Sequence, residues 1–159
     1  MSQEPTGHVV GNDLILVRRF HAPIHDVWTS VTDSESTARW FGPWQGEAGA
    51  GKVVRLQLVH EKGQPWADVT IDECEAPRRL VLTMKDELGA WRIEVTLTQT
   101  DETTTLRFVQ HLPDRKLAGD VGPGWEYYLD MLVAARAGKT LPTFADYYPA
   151  QKEHYLKSL

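Results

Sequence analysis

Few residues in this chain offer chemistry, and they are scattered. His21 and His25 stand four apart, a spacing that on one helical face would suit a metal ion. Pro23 lies between them as a good first residue of a helix, so His21 precedes that helix and the two rings do not share a face. There is no H-E-x-x-H, no glycine-rich phosphate loop and no cluster of His, Asp and Glu at ligand spacing. Neither metal nor cofactor is therefore expected. Cys74, the one cysteine, excludes an internal disulfide and a multi-cysteine metal site and fits a reducing compartment. Placed before a Glu-Ala-Pro turn, it is expected to act as a small buried apolar residue. Nucleophile–base pairs need adjacency in space, and no spacing here supplies it.

The stronger signal is aromatic. Trp28, Phe41, Trp44, Trp66, Trp91, Trp125 and Tyr128 are too many large rings to ignore in a small protein. Such rings bury large areas in an ordinary core, and they also line apolar pockets in which a few polar groups fix a ligand's orientation. Trp28 and Trp40 are expected to anchor helices to a sheet. Trp91, Trp125 and Tyr128 fall where a sheet face should meet a helix.

The elements that position these rings are readable from periodicity. Residues 14–20, LILVRRF, read as a strand. Ile24, Val27, Trp28 and Val31 then follow helical spacing, and Asp33 or Ser34 can cap a second short helix that Gly42-Pro43 stops. From residue 52 the period becomes two. Residues 52–60, 66–75, 80–86, 91–100 and 103–112 form successive strands joined by short turns, with Asp101-Glu102 the tightest. Val54, Leu56, Leu58 and His60 share one parity, as do Leu106, Phe108 and Gln110; Arg55, Arg107 and His111 fall on the opposite, solvated one. Antiparallel strands with one wet face need a cover. Residues 122–138 supply it: Pro123 at the start, Gly138 at the end, and Trp125, Tyr128, Leu129, Leu132 and Val133 in one stripe. Glu126 is expected near the positive end of that helix, with Tyr127 and Asp130 exposed beside the stripe.

The 159 residues suit a single domain, with a core over about 13–138 and a tail over 139–159. A net charge of −5 disfavours nucleic acid and anionic membranes as partners. The polar N-terminus does not read as a signal peptide, and no stretch is long and apolar enough to span a membrane. The expected compartment is the cytoplasm.

Three motifs in order, FHAPIHDVWTSVTDSESTARWFGP at 20–43, CEAPRRLVLT at 74–83 and GPGWEYYLDML at 122–132, resemble the START-like (Bet v 1-type, SRPBCC) superfamily. Within it they resemble the branch named after the activator of the heat-shock-protein-90 ATPase. The resemblance implies an α+β helix-grip fold, in which a curved antiparallel sheet wraps a long C-terminal helix and two short helices follow the first strand. It further implies a hydrophobic cavity between sheet and helix, of the kind in which relatives carry lipids, polyketides or plant phenolics and a few catalyse cyclisation or dehydration. The branch's chaperone-binding member has a further N-terminal domain for which this chain has no room, so a chaperone partner is not expected.

On that reading the cavity wall would comprise Trp28, Phe41 and Trp44 from the helix region. The first strands of the meander would add Leu56, Leu58, His60, Trp66, Val69, Leu82 and Met84. The next two would contribute Trp91, Ile93, Val95, Phe108 and Gln110, and the long helix Trp125, Tyr128, Leu129 and Leu132. The expected function is binding of a small hydrophobic or aromatic molecule. Two alternatives stand beside it: a cyclase-like enzyme using His60, Tyr128 or Asp130 as acid and base, and a stress-response interaction module. The aromatic tail, with Phe144, Tyr147, Tyr148 and Tyr155, can wrap the sheet, close the cavity mouth or pack on a second subunit to make a homodimer.

Overall fold

The computed structural model describes residues 4–86, 89–157 and 159. Strands β1 (His8–Val10) and β2 (Asp13–Phe20) precede helices α1 (Ile24–Thr32) and α2 (Ser34–Thr37). A meander follows: β3 (Trp44–Gln45), β4 (Val53–Gln57), β5 (Trp66–Glu75), β6 (Arg79–Asp86), β7 (Gly89–Thr100) and β8 (Thr103–His111). Helix α3 (Ala118–Ala137) and a short α4 (Lys152–Lys157) complete the chain. The strands form one antiparallel sheet in the order β1-β2-β8-β7-β6-β5-β4-β3. This is the helix-grip architecture, with α3 lying along the sheet.

The alternation does the local work. On β7, Trp91, Ile93 and Leu97 are buried while Arg92 and Thr98 are exposed, and β8 buries Leu106 and Phe108 beside them. Asp101 takes φ 55° in the turn between these strands, a left-handed conformation that aspartate tolerates. Asp33 caps α2 by accepting the N–H of Ser36. Gly42 is demanded by a close approach, because a Cβ there would collide with the carbonyl oxygen of Gln57. That approach places Phe41 against the sheet.

Several expectations need correction. β4 ends at Gln57: the Leu58 N–H turns to the Pro65 carbonyl, so Leu58 and His60 leave the sheet and strand parity no longer applies to them. Helix α3 begins at Ala118, before Pro123. Its extra turn is held by the tail, whose Tyr155 ring lies so close to Gly122 that a Cβ there would come within 2.6 Å. Glu126 consequently sits well inside the helix, 1% exposed, and Val133 is 37% exposed, off the buried stripe. Tyr127 packs on Phe144 and Tyr147, and Asp130 accepts bonds from Arg18 and Tyr147. His111, expected in solvent, is half-buried between Asp13 and Glu94. The tail packs on α3, burying Tyr147 and Tyr155. No helix among the described residues is long and apolar enough to cross a membrane.

Candidate functional site

Between the inner sheet face and the helices lies a cavity of about 150 Å³. Its floor is built by cross-strand rows. Val54 faces Val69, which faces Met84; Ile71 faces Leu82, which faces Ile93; Leu80 faces Val95, which faces Phe108. All of these side chains line the space, together with Leu56 and Leu106. The roof comes from Val31, Thr32, Thr37, Trp40 and Phe41 on one side and Trp125 and Leu129 of α3 on the other, with Trp44 closing the β3 end. Ala48 and Cys74 line the cavity while remaining exposed, which marks the rim. Cys74 is thus at a surface-reaching edge and not the buried residue expected from its turn.

The polar atoms around this space are turned away from it. Trp40 donates its indole N–H to the Ser30 carbonyl and Trp44 to that of Thr32, each at 2.9 Å. Trp125 donates to Gln110 Oε1 at 2.6 Å. Thr32 and Thr37 donate their hydroxyls to the carbonyls of Trp28 and Ser34. The rings therefore offer the cavity carbon faces, with their donors already engaged.

Of the residues expected on the wall, Phe41, Trp44, Leu56, Val69, Leu82, Met84, Ile93, Val95, Phe108, Trp125 and Leu129 line the cavity. The others do not. Trp28, on α1, packs against the buried core without lining the space. Gln110 is buried behind Trp125 and orients its indole. Leu132 is sealed in the core one turn beyond Leu129. Trp66 faces outward, 39% exposed, under the Arg55 guanidinium at 5.2 Å. Tyr128 stands outside Phe41, edge-on at 4.6 Å, and donates to Glu61 Oε2 at 3.2 Å. Burial and the Glu61 charge push the Tyr128 hydroxyl pKa above its ordinary value. His60 lies beyond it, at 6.3 Å between ring centroids, and partial burial lowers its pKa. Trp91 is buried at 8% exposure, one step past Ile93 along β7.

A family described as activator of Hsp90 ATPase homolog 1-like protein matches residues 21–137. The chain belongs to that family. Solved structures with this fold include CalU16 from Micromonospora echinospora, at 24% identity over 98% of this chain and 95% of that one, with a TM-score of 0.77. The protein encoded by gene BPP1335 from Bordetella parapertussis matches at 24% identity over 98% and 92%, with a TM-score of 0.81. DynU16, from the dynemicin biosynthetic locus, matches at 24% identity and a TM-score of 0.70 over 88% of this chain, which spans about half (51%) of that one. No curated protein sequence matches.

In this activator-homolog family member, some wall residues were missed by sequence reading although a signal existed. Val54, Ile71, Leu80 and Leu106 share strand parity with Leu56, Val69, Leu82 and Phe108. Cys74 joins the same face as Ile71 only because the register of β5 shifts between Ile71 and Glu73, a bulge that reverses the parity. Val31 lies on the apolar stripe of α1, and Trp40, expected to anchor the helix pair to the sheet, also reaches the cavity. Thr32, Thr37 and Ala48 carry no sequence signal that would place them here.

Proposed function

We propose that the protein binds a small, uncharged, ring-bearing apolar molecule inside the cavity. The observation that carries this reading is a space walled by aliphatic and aromatic carbon whose tryptophan and threonine donors are all committed elsewhere. An apolar cavity of about this size stays dry and admits a benzene-sized guest. Burial would drive association at about 25 cal/mol per Å² before the costs of ordering. An anion would find no donor to replace its hydration shell and would be rejected. DynU16 is described as a protein in a biosynthetic locus, which accords with a metabolite as ligand.

The polar groups that could serve turnover stand away from the cavity. Tyr128 and His60 lie outside the aromatic wall, and Asp130 is held by Arg18 and Tyr147. The tail's Tyr147 and Tyr155 are buried within the chain, which removes them from any subunit contact. Titration with benzene, indole and naphthalene, followed by tryptophan fluorescence and calorimetry, tests the proposal. Saturable binding with Kd at or below about 1 mM, worth about 4 kcal/mol, is expected for these neutral rings, with a much weaker response to 3-phenylpropionate. Equal binding of the carboxylate, or no saturation by any ring, would overturn it.

A further inference from the structure

One tryptophan differs from those around the cavity. Trp91 is 8% exposed, and its indole nitrogen is buried with no hydrogen-bond partner among the described residues. A buried donor without an acceptor gives up its hydration and gains nothing in return, so native structures rarely keep one without a reason. Trp40, Trp44 and Trp125 each have an acceptor, and the contrast singles Trp91 out.

Its position supplies the reason. Strand alternation puts Trp91 on the same sheet face as Ile93 and Val95, both of which line the cavity. Directly across the ladder from Trp91 stands Met84, also a wall residue and only partly buried. Methionine is unbranched and changes rotamer easily, which suits it to fill irregular gaps. The cavity thus ends at a movable side chain, and the next residue in that row carries an uncommitted N–H.

We propose that Trp91 is a specificity-determining residue: with Met84 turned aside, its indole N–H donates to one acceptor oxygen, a carbonyl or ether, on an otherwise apolar ring-bearing ligand. This inference rests on the binding function proposed above and adds to it the polarity of the ligand. A site with one buried donor discriminates against an analogue lacking the acceptor more sharply than an apolar wall discriminates shape, because the donor is left unpaired.

The test compares tetralin with 1-tetralone, which differ by one carbonyl oxygen, on the full chain. Nitrogen–proton NMR follows the indole signals, with that of Trp91 identified by its absence in Trp91→Phe or, should that variant not fold, by its contacts to the Met84 methyl. Both compounds should saturate, but only the ketone should move the Trp91 N–H signal downfield. Trp91→Phe should weaken the ketone about tenfold while changing tetralin less than about twofold. An unmoved Trp91 signal on ketone binding, or equal weakening of both compounds, would overturn the inference and leave the cavity reading intact. Failure of both compounds to saturate would overturn the two together.

Discussion

On one side of α3, Glu126 and Asp130 meet Arg18, Thr6 and the tail tyrosines; on the other, Trp125 and Leu129 face an apolar space. The first side is closed by directed bonds. Glu126 accepts from the Gly7 N–H at 2.9 Å, the Thr6 hydroxyl at 2.6 Å, Arg18 at 2.9 Å and the Tyr155 hydroxyl. Arg18 also reaches Asp130 at 3.0 Å, where Tyr147 donates at 2.7 Å. Burial alone would favour the neutral form of Glu126, but the bonds from Thr6, Tyr155, Gly7 and Arg18 outweigh it and hold its pKa below the ordinary carboxylate value. The cavity side has a single directed bond, from the Trp125 indole to Gln110, and is otherwise shaped by contact. One helix is thus clamped by polar groups along one face, which leaves the neighbouring face, about 100° round the helix, free to border a space without collapsing into it.

The clamp should be the costlier side to break. Glu126→Ala removes the common acceptor of Arg18 and of four other donors, the Thr6 N–H and hydroxyl, the Gly7 N–H and the Tyr155 hydroxyl. With Asp130 left as the only carboxylate for Arg18, this should cost about 3–5 kcal/mol in urea denaturation. A loss below about 1 kcal/mol would mean that the network is not what holds α3. Tyr155→Phe deletes one bond among several and should cost about 1–1.5 kcal/mol, without changing affinity for naphthalene. A parallel loss of affinity would show that the two faces are not independent.

Leu82→Phe probes the soft side. Its added ring enters existing space, so stability should change by less than about 1 kcal/mol while ring binding is lost. Destabilisation by several kcal/mol with binding retained would indicate a packed floor.

The smallest effect is expected on the outer sheet face, remote from both. His111 lies 2.6 Å from Asp13 through Nδ1 and meets Glu94 through Nε2. Burial opposes its charge, but the two carboxylates outweigh burial and raise its pKa above 6.5. The folded state therefore holds this proton more tightly than the unfolded one. Its contribution is full below the unfolded value and disappears as pH rises through the folded one. Glu94, drawn below 4.5 chiefly by its bond to His111 and also by Arg79, contributes above its ordinary value and loses that contribution on acidification. The stability difference between the native chain and His111→Gln should shrink as pH rises above 6.5, and a constant difference would contradict the pairing.

The division between the two faces of α3 was only half legible in the sequence. The strands could be read because alternation has one physical cause, burial of one face, and residues 66–75 coincide with β5. Residues 52–60 could not be read to the end, because the exit at Gln57 depends on bonds to Pro43 and Pro65, both distant partners. The apolar stripe identified Trp125 and Leu129 as inward-facing. It left Glu126 looking like a dipole partner, since the donors to its carboxylate come from residues 6, 7, 18 and 155. Trp66 is a different case, because the signal was present: on β5 it has the opposite parity to Val69 and Ile71, so alternation turns its ring outward. The difference between a wall tryptophan and an orienting glutamine behind it, as for Trp125 and Gln110, exists only in three dimensions.

On the proposed function, the apolar face of α3 borders a space made for a ring. A crystal grown with naphthalene tests this most directly. Ring-shaped density is expected among Phe41, Leu82, Val95 and Trp125. An interior filled by side chains, or density found only on the exposed surface around Leu141 and Phe144, would contradict it.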